Sequence, residues 1–170
     1  YMIPVVNFVY PMFANTNLLT KAGISQIPST RDDFAAAAKA VTGGDVSGWA
    51  LPLSLEAPNG IHNDVMSWVW ASGGSMLTGD GMPNLKGNAD VKSASEFIKK
   101  LWDDGVVSPG AFTMKEQDKV EDFTNGRVGL MIDSLAHVNT IRQGNPDLAF
   151  DIAAIPAAAG YSGQRGMPYA

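Results

Sequence analysis

The 170-residue chain contains no cysteine, which removes disulfides, thiolate metal sites and a cysteine nucleophile from consideration. That absence suits an exported bacterial protein and a cytosolic one equally, so it leaves the compartment open. Charge is sparse as well: 17% of residues are Asp, Glu, Lys or Arg, and the formal net charge is −5. The twelve Lys and Arg are scattered singly, with no basic patch to neutralise a phosphate backbone, so no nucleic-acid partner is expected. No stretch approaches the roughly 18–20 uninterrupted apolar residues that a membrane-spanning helix needs. Only two histidines occur, His62 and His137, far apart and without the paired spacing of a zinc helix, so no metal site is expected. G-x-S-x-G, G-x-G-x-x-G and the P-loop pattern are all missing, which leaves a serine nucleophile and nucleotide cofactors without local support, and no cofactor is expected. What is present is 45% hydrophobic residues with 18 Gly and 10 Pro, the composition of a single turn-rich globular domain able to bury a sizeable core.

Helix and strand signals alternate along the chain. Met2, Ile3, Val5, Val6, Phe8 and Val9 form an apolar run that reads as a buried strand at the extreme end of the sequence. Buried strands need neighbours, and Tyr161 to Ala170 runs out without a closing element, so the chain is expected to be a piece of a longer one. Thr30 and Asp33 have the spacing of a capping box ahead of an alanine-rich helix through Val41, which Gly43 and Gly44 stop. Trp49 to Leu55 reads as a short strand broken by Pro52, followed by the loop Glu56-Ala57-Pro58-Asn59-Gly60.

Ile61 to Ser72 is apolar on more than one helical side, so Trp68 and Trp70 are read first as core. Val91, Ala94, Ile98, Leu101 and Trp102 repeat at helical spacing, with Asp90 near the start and Gly105 at the end. Lys115 to Phe123 is an acidic amphipathic helix leading into the strand Val128 to Ile132, after which Asp133 or Ser134 caps another helix to about Gln143. Phe150, Ile152 and Ala154 alternate inward against Asp151. The order is an α/β pattern with mixed connections and no internal repeat.

Two carboxylate pairs, Asp103-Asp104 and Glu121-Asp122, are neighbours in sequence and do not face each other on a helix, so neither is a glycosidase dyad by itself. Loops at strand and helix ends carry polar and aromatic residues: Asn7 and Tyr10, Glu56 with Asn59, His62 and Asn63, Asp133 with Ser134, and Tyr161, Gln164 and Arg165. Such equipment suits neutral polyhydroxylated ligands, since carboxylates and amides bond hydroxyls in pairs and aromatic faces cover sugar C–H surfaces. Ordinary capping and turn formation explain the same residue types, Asp133 above all. Glu56 has no evident capping role.

Asn15-Thr16-Asn17-Leu18-Leu19-Thr20-Lys21-Ala22-Gly23-Ile24, followed by Pro28-Ser29-Thr30-Arg31-Asp32-Asp33-Phe34, resembles a stretch of the family 1 extracellular solute-binding proteins, the maltose-binding type serving ABC importers. Trp70 to Leu77, Phe97 to Gly105 and Phe123 to Ile132 are similar to further segments of that family in the same order, and the similarity runs from about Tyr1 to Pro156. The resemblance implies two α/β lobes joined by hinge strands with the ligand between them. The expected fold class is then a single lobe of a periplasmic-binding-protein type II fold, a mixed sheet flanked by helices. Residues 1–9 would be a hinge strand, 10–156 the lobe body and 157–170 the approach to the return crossing.

By the same resemblance, ligand contacts would come from Asn7 and Tyr10 at the hinge, Glu56 and Asn59 in the first loop, and Asp133, Ser134 and His137 in the loop after the Met-x-Ile strand. Many sugar-binding members carry a stacking tryptophan in that last loop, where this chain has Ala136 and His137. The implied ligand is a sugar, a polyol or a glycerophospho-compound. The implied partners are ABC permease subunits and the missing N-terminal lobe of the same chain. The implied location is periplasmic or extracellular, with the full-length protein either free or lipid-anchored. An enzyme is the competing class, a small α/β hydrolase or glycosidase whose Glu56 and Asp133 converge across a cleft. An interaction domain without a ligand is a third.

Overall fold

The computed structural model describes residues 6–158 and 165–169, of which 6–8 and 165–169 are described by their backbone alone. Two sheets share the chain. A two-stranded antiparallel ribbon pairs β1 (Val6–Tyr10) with β6 (Arg165–Tyr169). A four-stranded mixed sheet has the order β3-β4-β2-β5, from β2 (Met12–Asn15), β3 (Ser47–Trp49), β4 (Val128–Ile132) and β5 (Phe150–Ala153). β2 runs antiparallel to β4 and β5, while β3 lies parallel to β4. One residue, Pro11, separates the ribbon from the sheet, and a proline has no N–H to continue a ladder.

β2 and β4 are buried along their whole length because helices cover both faces of the sheet. On one face Met12, Ala14, Leu130 and Ile132 join Phe34, Trp49, Trp68, Phe97 and Leu101. On the other, Phe13, Val128 and Met131 pack with Val120, Phe123 and Ile141. The first face carries α2 (Arg31–Val41), whose start is capped by the Thr30 hydroxyl accepting the Asp33 N–H at 3.1 Å. α2 sits very close to the sheet. A Cβ added to Gly48 would lie 2.2 Å from the Ala38 carbonyl oxygen, and one on Gly129 would strike the Val41 side chain. Alanines in the helix and glycines in the strands permit that approach.

Four rings, Phe34, Trp49, Trp68 and Phe97, meet edge to face with centroids 4.9 to 6.1 Å apart. The Arg31 guanidinium covers this layer, 5.9 Å from the Trp68 ring and 5.3 Å from the Phe97 ring. It donates to the Ser93 hydroxyl at 2.9 Å and to the Ser72 hydroxyl at 3.0 Å. Ser72 in turn donates to the Trp68 carbonyl at 3.0 Å and accepts the Ala158 N–H at 2.8 Å.

Several expectations change in detail. The strand expected through Leu55 stops at Trp49, and the chain continues through isolated backbone bonds, Leu53 N–H to the Ala111 carbonyl and Ser54 N–H to the Met114 carbonyl. The helix expected from Ile61 opens with a π-helical turn, Ile61–Val65, before α3 (Met66–Ala71). In α4 (Ala89–Asp103) the cap is Asn88, whose side-chain oxygen accepts the Asp90 and Val91 N–H groups, and Trp102 is half exposed, leaning on Phe112. In β5 the inward alternation fails: Ile152 is exposed, and Phe150 packs on Phe13 and Phe123. β5 is an edge strand with one partner, so only part of it is covered. The helix α5 spans Glu116–Thr124, and α6 spans Val138–Gly144. The run Met2 to Val5 and the stretch Tyr161 to Gln164 lie outside the described residues.

Candidate ligand-binding rim

The antiparallel ladder between β2 and β4 is extended by one bond beyond the sheet, where the Asp133 N–H donates to the Pro11 carbonyl at 3.1 Å. This places the loop after β4 against the end of β1, where Tyr10 is buried. Ser134, and not Asp133, caps the next element: its hydroxyl accepts the Ala136 N–H at 3.2 Å and opens the 3₁₀ turn Leu135–His137 that leads into α6. Asp133 turns inward. Its Oδ1 accepts the Ser134 N–H at 2.5 Å and lies 2.7 Å from His137 Nδ1. Its Oδ2 is 3.4 Å from the ammonium of Lys119.

Lys119, in the second turn of α5, is fully buried. Its ammonium donates to both oxygens of Asp64, at 3.2 and 2.9 Å, and to the Ile132 carbonyl at the end of β4. Asp64 belongs to the π-helical turn ahead of α3, so one cation ties three segments together. Two further bonds run alongside: the Asn63 amide donates to Glu116 at 3.2 Å, and Lys115 pairs with Glu56 at 3.0 Å. The first turn of α5 is closed by the Lys115 N–H donating to Asp118 at 2.8 Å.

One buried cation faces two buried carboxylates, and this sets the protonation pattern. Burial alone would lower the Lys119 affinity for its proton, but Asp133 and Asp64 together raise it, so the ammonium is retained. Burial pushes Asp133 upward too, yet Lys119 and His137 outweigh it and hold the carboxyl below its ordinary value. Asp64 is the group left over: burial, opposed by Lys119 and reinforced by Asp133, raises its pKa to about 7. His137, half buried, is raised chiefly by its bond to Asp133. The cluster titrates as a coupled unit.

The structure thus brings Asp133, Ser134, His137 and Tyr10 to one end of the sheet, with Glu56 tethered to the α5 terminus that also supports this end. Asn59 is exposed at the start of the turn leading to Asp64. Asn7 lies in β1 opposite Pro168, and its side chain is outside the described residues. Glu56 and Asp133 do not form a glycosidase pair: the Asp133 carboxylate has no exposed surface, with Oδ1 bonded to Ser134 and His137 and Oδ2 facing Lys119, while Glu56 is exposed and held by Lys115. Among the described residues no group of three or more His, Asp or Glu could hold a metal ion.

Lys119 and Asp64 are the site residues that sequence reasoning missed. The signal was available: Lys119 is one turn before Phe123, and Asp64 one turn before Trp68, so each charge sits on the buried stripe of its helix. Opposite charges on two such stripes call for each other.

The chain matches the family model described as bacterial extracellular solute-binding protein over residues 1–166. Binding proteins of Brucella abortus (strain 2308) and Brucella suis biovar 1 (strain 1330) are 31% identical over 170 residues, covering 98% of this chain. The chain spans 39% of the length of these curated relatives. A sugar transporter from Arthrobacter chlorophenolicus A6 with bound laminaribiose superposes with a TM-score of 0.84 at 20% identity, covering 98% of this chain and 41% of that one. A solute-binding protein of an ABC transporter from Agrobacterium radiobacter K84, in complex with ribitol, gives 0.81 at 20% identity, with 99% and 44% covered. Another, from Thermotoga lettingae TMO with α-D-tagatose, gives 0.79 at 24% identity, with 99% and 45% covered. At these identities the structural likenesses establish the fold.

Proposed function

The chain belongs to the bacterial extracellular solute-binding proteins, and on that premise we propose that it is one lobe of a two-lobed binding protein that captures a sugar or polyol for an ABC permease. The observation that carries this reading is the convergence of the Asp133–His137 loop, the end of β1 and the loop from Glu56 to Asp64 on one end of the sheet. In open α/β sheets, ligands bind at strand ends where neighbouring connections part. The rim offers imidazole, hydroxyl, amide and carboxylate groups, which suit hydroxyl-rich ligands. Laminaribiose, ribitol and tagatose, bound by the structural relatives, belong to that class.

In this reading Glu56, Asn59, Ser134 and His137 face the ligand, Asn7 and Tyr10 belong to the strand that leads to the rim, and Asp133 acts through His137 and Ser134. The ribbon of β1 and β6 is the crossing to the other lobe, residues 10–156 form the lobe body, and the protein works outside the cytoplasmic membrane. Ligand bridging the lobes would favour a closed form, and the closed form would dock on the permease without any chemical step.

One lobe supplies about half of the contacts, so affinity near micromolar, about −8 kcal/mol, falls toward millimolar, about −4 kcal/mol, when the lobe is alone. Calorimetry of the two-lobed protein and of this chain against laminaribiose, tagatose, ribitol and glycerol 3-phosphate tests the proposal. Binding by the two-lobed protein alone supports it. Equal, tight binding by both would contradict the bridging account, and preference for glycerol 3-phosphate would move the substrate class to phosphorylated polyols.

A further inference from the structure

Three segments that frame the proposed rim arise from distant parts of the sequence: the turn before α3, the start of α5 and the loop after β4. Their side chains meet at one buried point. Lys119 has no solvent exposure, yet its three donors are all used, two on Asp64 and one on the Ile132 carbonyl, with Asp133 Oδ2 beside them at 3.4 Å. Asp64 stands directly after Asn63, which bonds to Glu116, and Asp133 directly before Ser134 and within reach of His137. The ammonium is therefore linked through one residue to both loops. A hydrophobic residue of similar volume would fill the same space, but would give neither loop a direction. Hydrogen bonds from one rigid helix to Asp64 and to the last carbonyl before the second loop, with the ion pair to Asp133 beside them, do give them one.

We propose that Lys119 is a positioning residue of the binding rim: its buried ammonium, bonded to Asp64 and the Ile132 carbonyl and set against Asp133, fixes the two ligand-facing loops in one mutual register. The role rests on the two-lobed sugar or polyol reading for its consequence in binding, but not for its structural content. Asp133 in turn holds His137, so the position of the imidazole depends on a cation on another helix. The charged groups around His137 are Asp133 on its own loop and Glu116 and Lys119 on α5.

The test uses the two-lobed protein with two variants, Asp64→Asn, which conserves volume, and Asp64→Asn with Lys119→Met, which removes both charges. Hydrogen exchange is read at residues 61–65 and 133–138, and the His137 titration is followed by NMR. Both variants are expected to raise exchange at least tenfold in the two segments together, with α2 and α4 unchanged. The His137 midpoint is expected to move in opposite directions. With Asp64 neutral, Lys119 gives its charge undivided to Asp133 and the midpoint falls. With Lys119 gone, Asp133 is left to His137 and the midpoint rises. A His137 midpoint unmoved in both variants, loosening of one segment only, or an equal rise throughout the chain would overturn the proposal. Whichever of laminaribiose, tagatose and ribitol raises the wild-type melting temperature should bind the double variant at least tenfold more weakly. If none does, the ligand-class reading fails while exchange and titration still decide the role of Lys119.

Discussion

The aromatic layer on one face of the central sheet and the ionic cluster at the rim end of that sheet are held by different chemistry. In the first, four aromatic rings meet edge to face under the Arg31 guanidinium, and the ring contacts are short-range and tolerant of small shifts. Toward the rim, a single ammonium holds Asp64, Asp133 and the Ile132 carbonyl, and directional bonds set the arrangement. The aromatic layer supplies stability without prescribing where a loop points. The ionic cluster prescribes direction and adds little net stability against an apolar replacement of equal volume. In the proposed reading the two have separate uses, one to hold the fold together and one to aim the groups of the rim.

This contrast can be broken by substitution. The largest effect is expected from Trp68→Ala, a loss of about 4–5 kcal/mol in chemical denaturation, because three rings lose their shared neighbour at a fully buried position. No second change in the layer should recover it. Lys119→Met is expected to cost about 3–4 kcal/mol by leaving buried carboxylates without their cation. Here adding Asp64→Asn should recover part of the loss, the buried Asp133 keeping the rest, and a double variant as unstable as the single one would erase the distinction between the two regions.

A smaller effect is expected from pH. His137 binds its proton more tightly folded than unfolded, so its stabilisation is whole below its ordinary value of 6.5 and is lost as pH rises through the raised folded value. Asp64, raised from 3.8 to about 7, acts in the same direction, its contribution vanishing as pH rises through about 7. Asp133 is opposite, stabilising above its ordinary value and losing that contribution as pH falls through its lowered one. The melting temperature is therefore expected to drop by several degrees between about pH 5.5 and about pH 8.5, at roughly 2–4 °C per kcal/mol, and Asp64→Asn should flatten the drop. The smallest effects belong to neither region: Asn88→Ala should cost about 1 kcal/mol through the lost cap of α4, and Lys92→Ala, at an exposed pair with Glu96, less than about 0.5 kcal/mol.

The aromatic side was legible in the sequence because burial there follows helical period: Trp68, Leu101, Phe34 and the caps at Thr30 and Gly105 fall where spacing puts them. Resemblance to the family added the candidate loops of the rim, which periodicity could not supply. The ionic side was not legible in the same way. Lys119 falls on the buried stripe of an otherwise acidic helix, but nothing local says that its partners are 55 residues upstream and 14 downstream. Asp133 looked like a cap because caps are local, while its partners Lys119 and Pro11 are set by tertiary structure. The outward turn of Ile152 escaped for a related reason, since strand alternation does not reveal which strand lies at a sheet edge.

The Ser72 hydroxyl has one proton to give and two lone pairs to offer, and all three are occupied, by the Trp68 carbonyl, Arg31 and the Ala158 N–H. It is thus a mooring for chain nearly ninety positions later. Anyone trimming this lobe into a smaller recombinant scaffold, or splicing its return segment onto a different partner, should keep Ala158 and its approach intact. A shorter cut would unfasten the tail and leave the hydroxyl that anchors the guanidinium with one lone pair unmet.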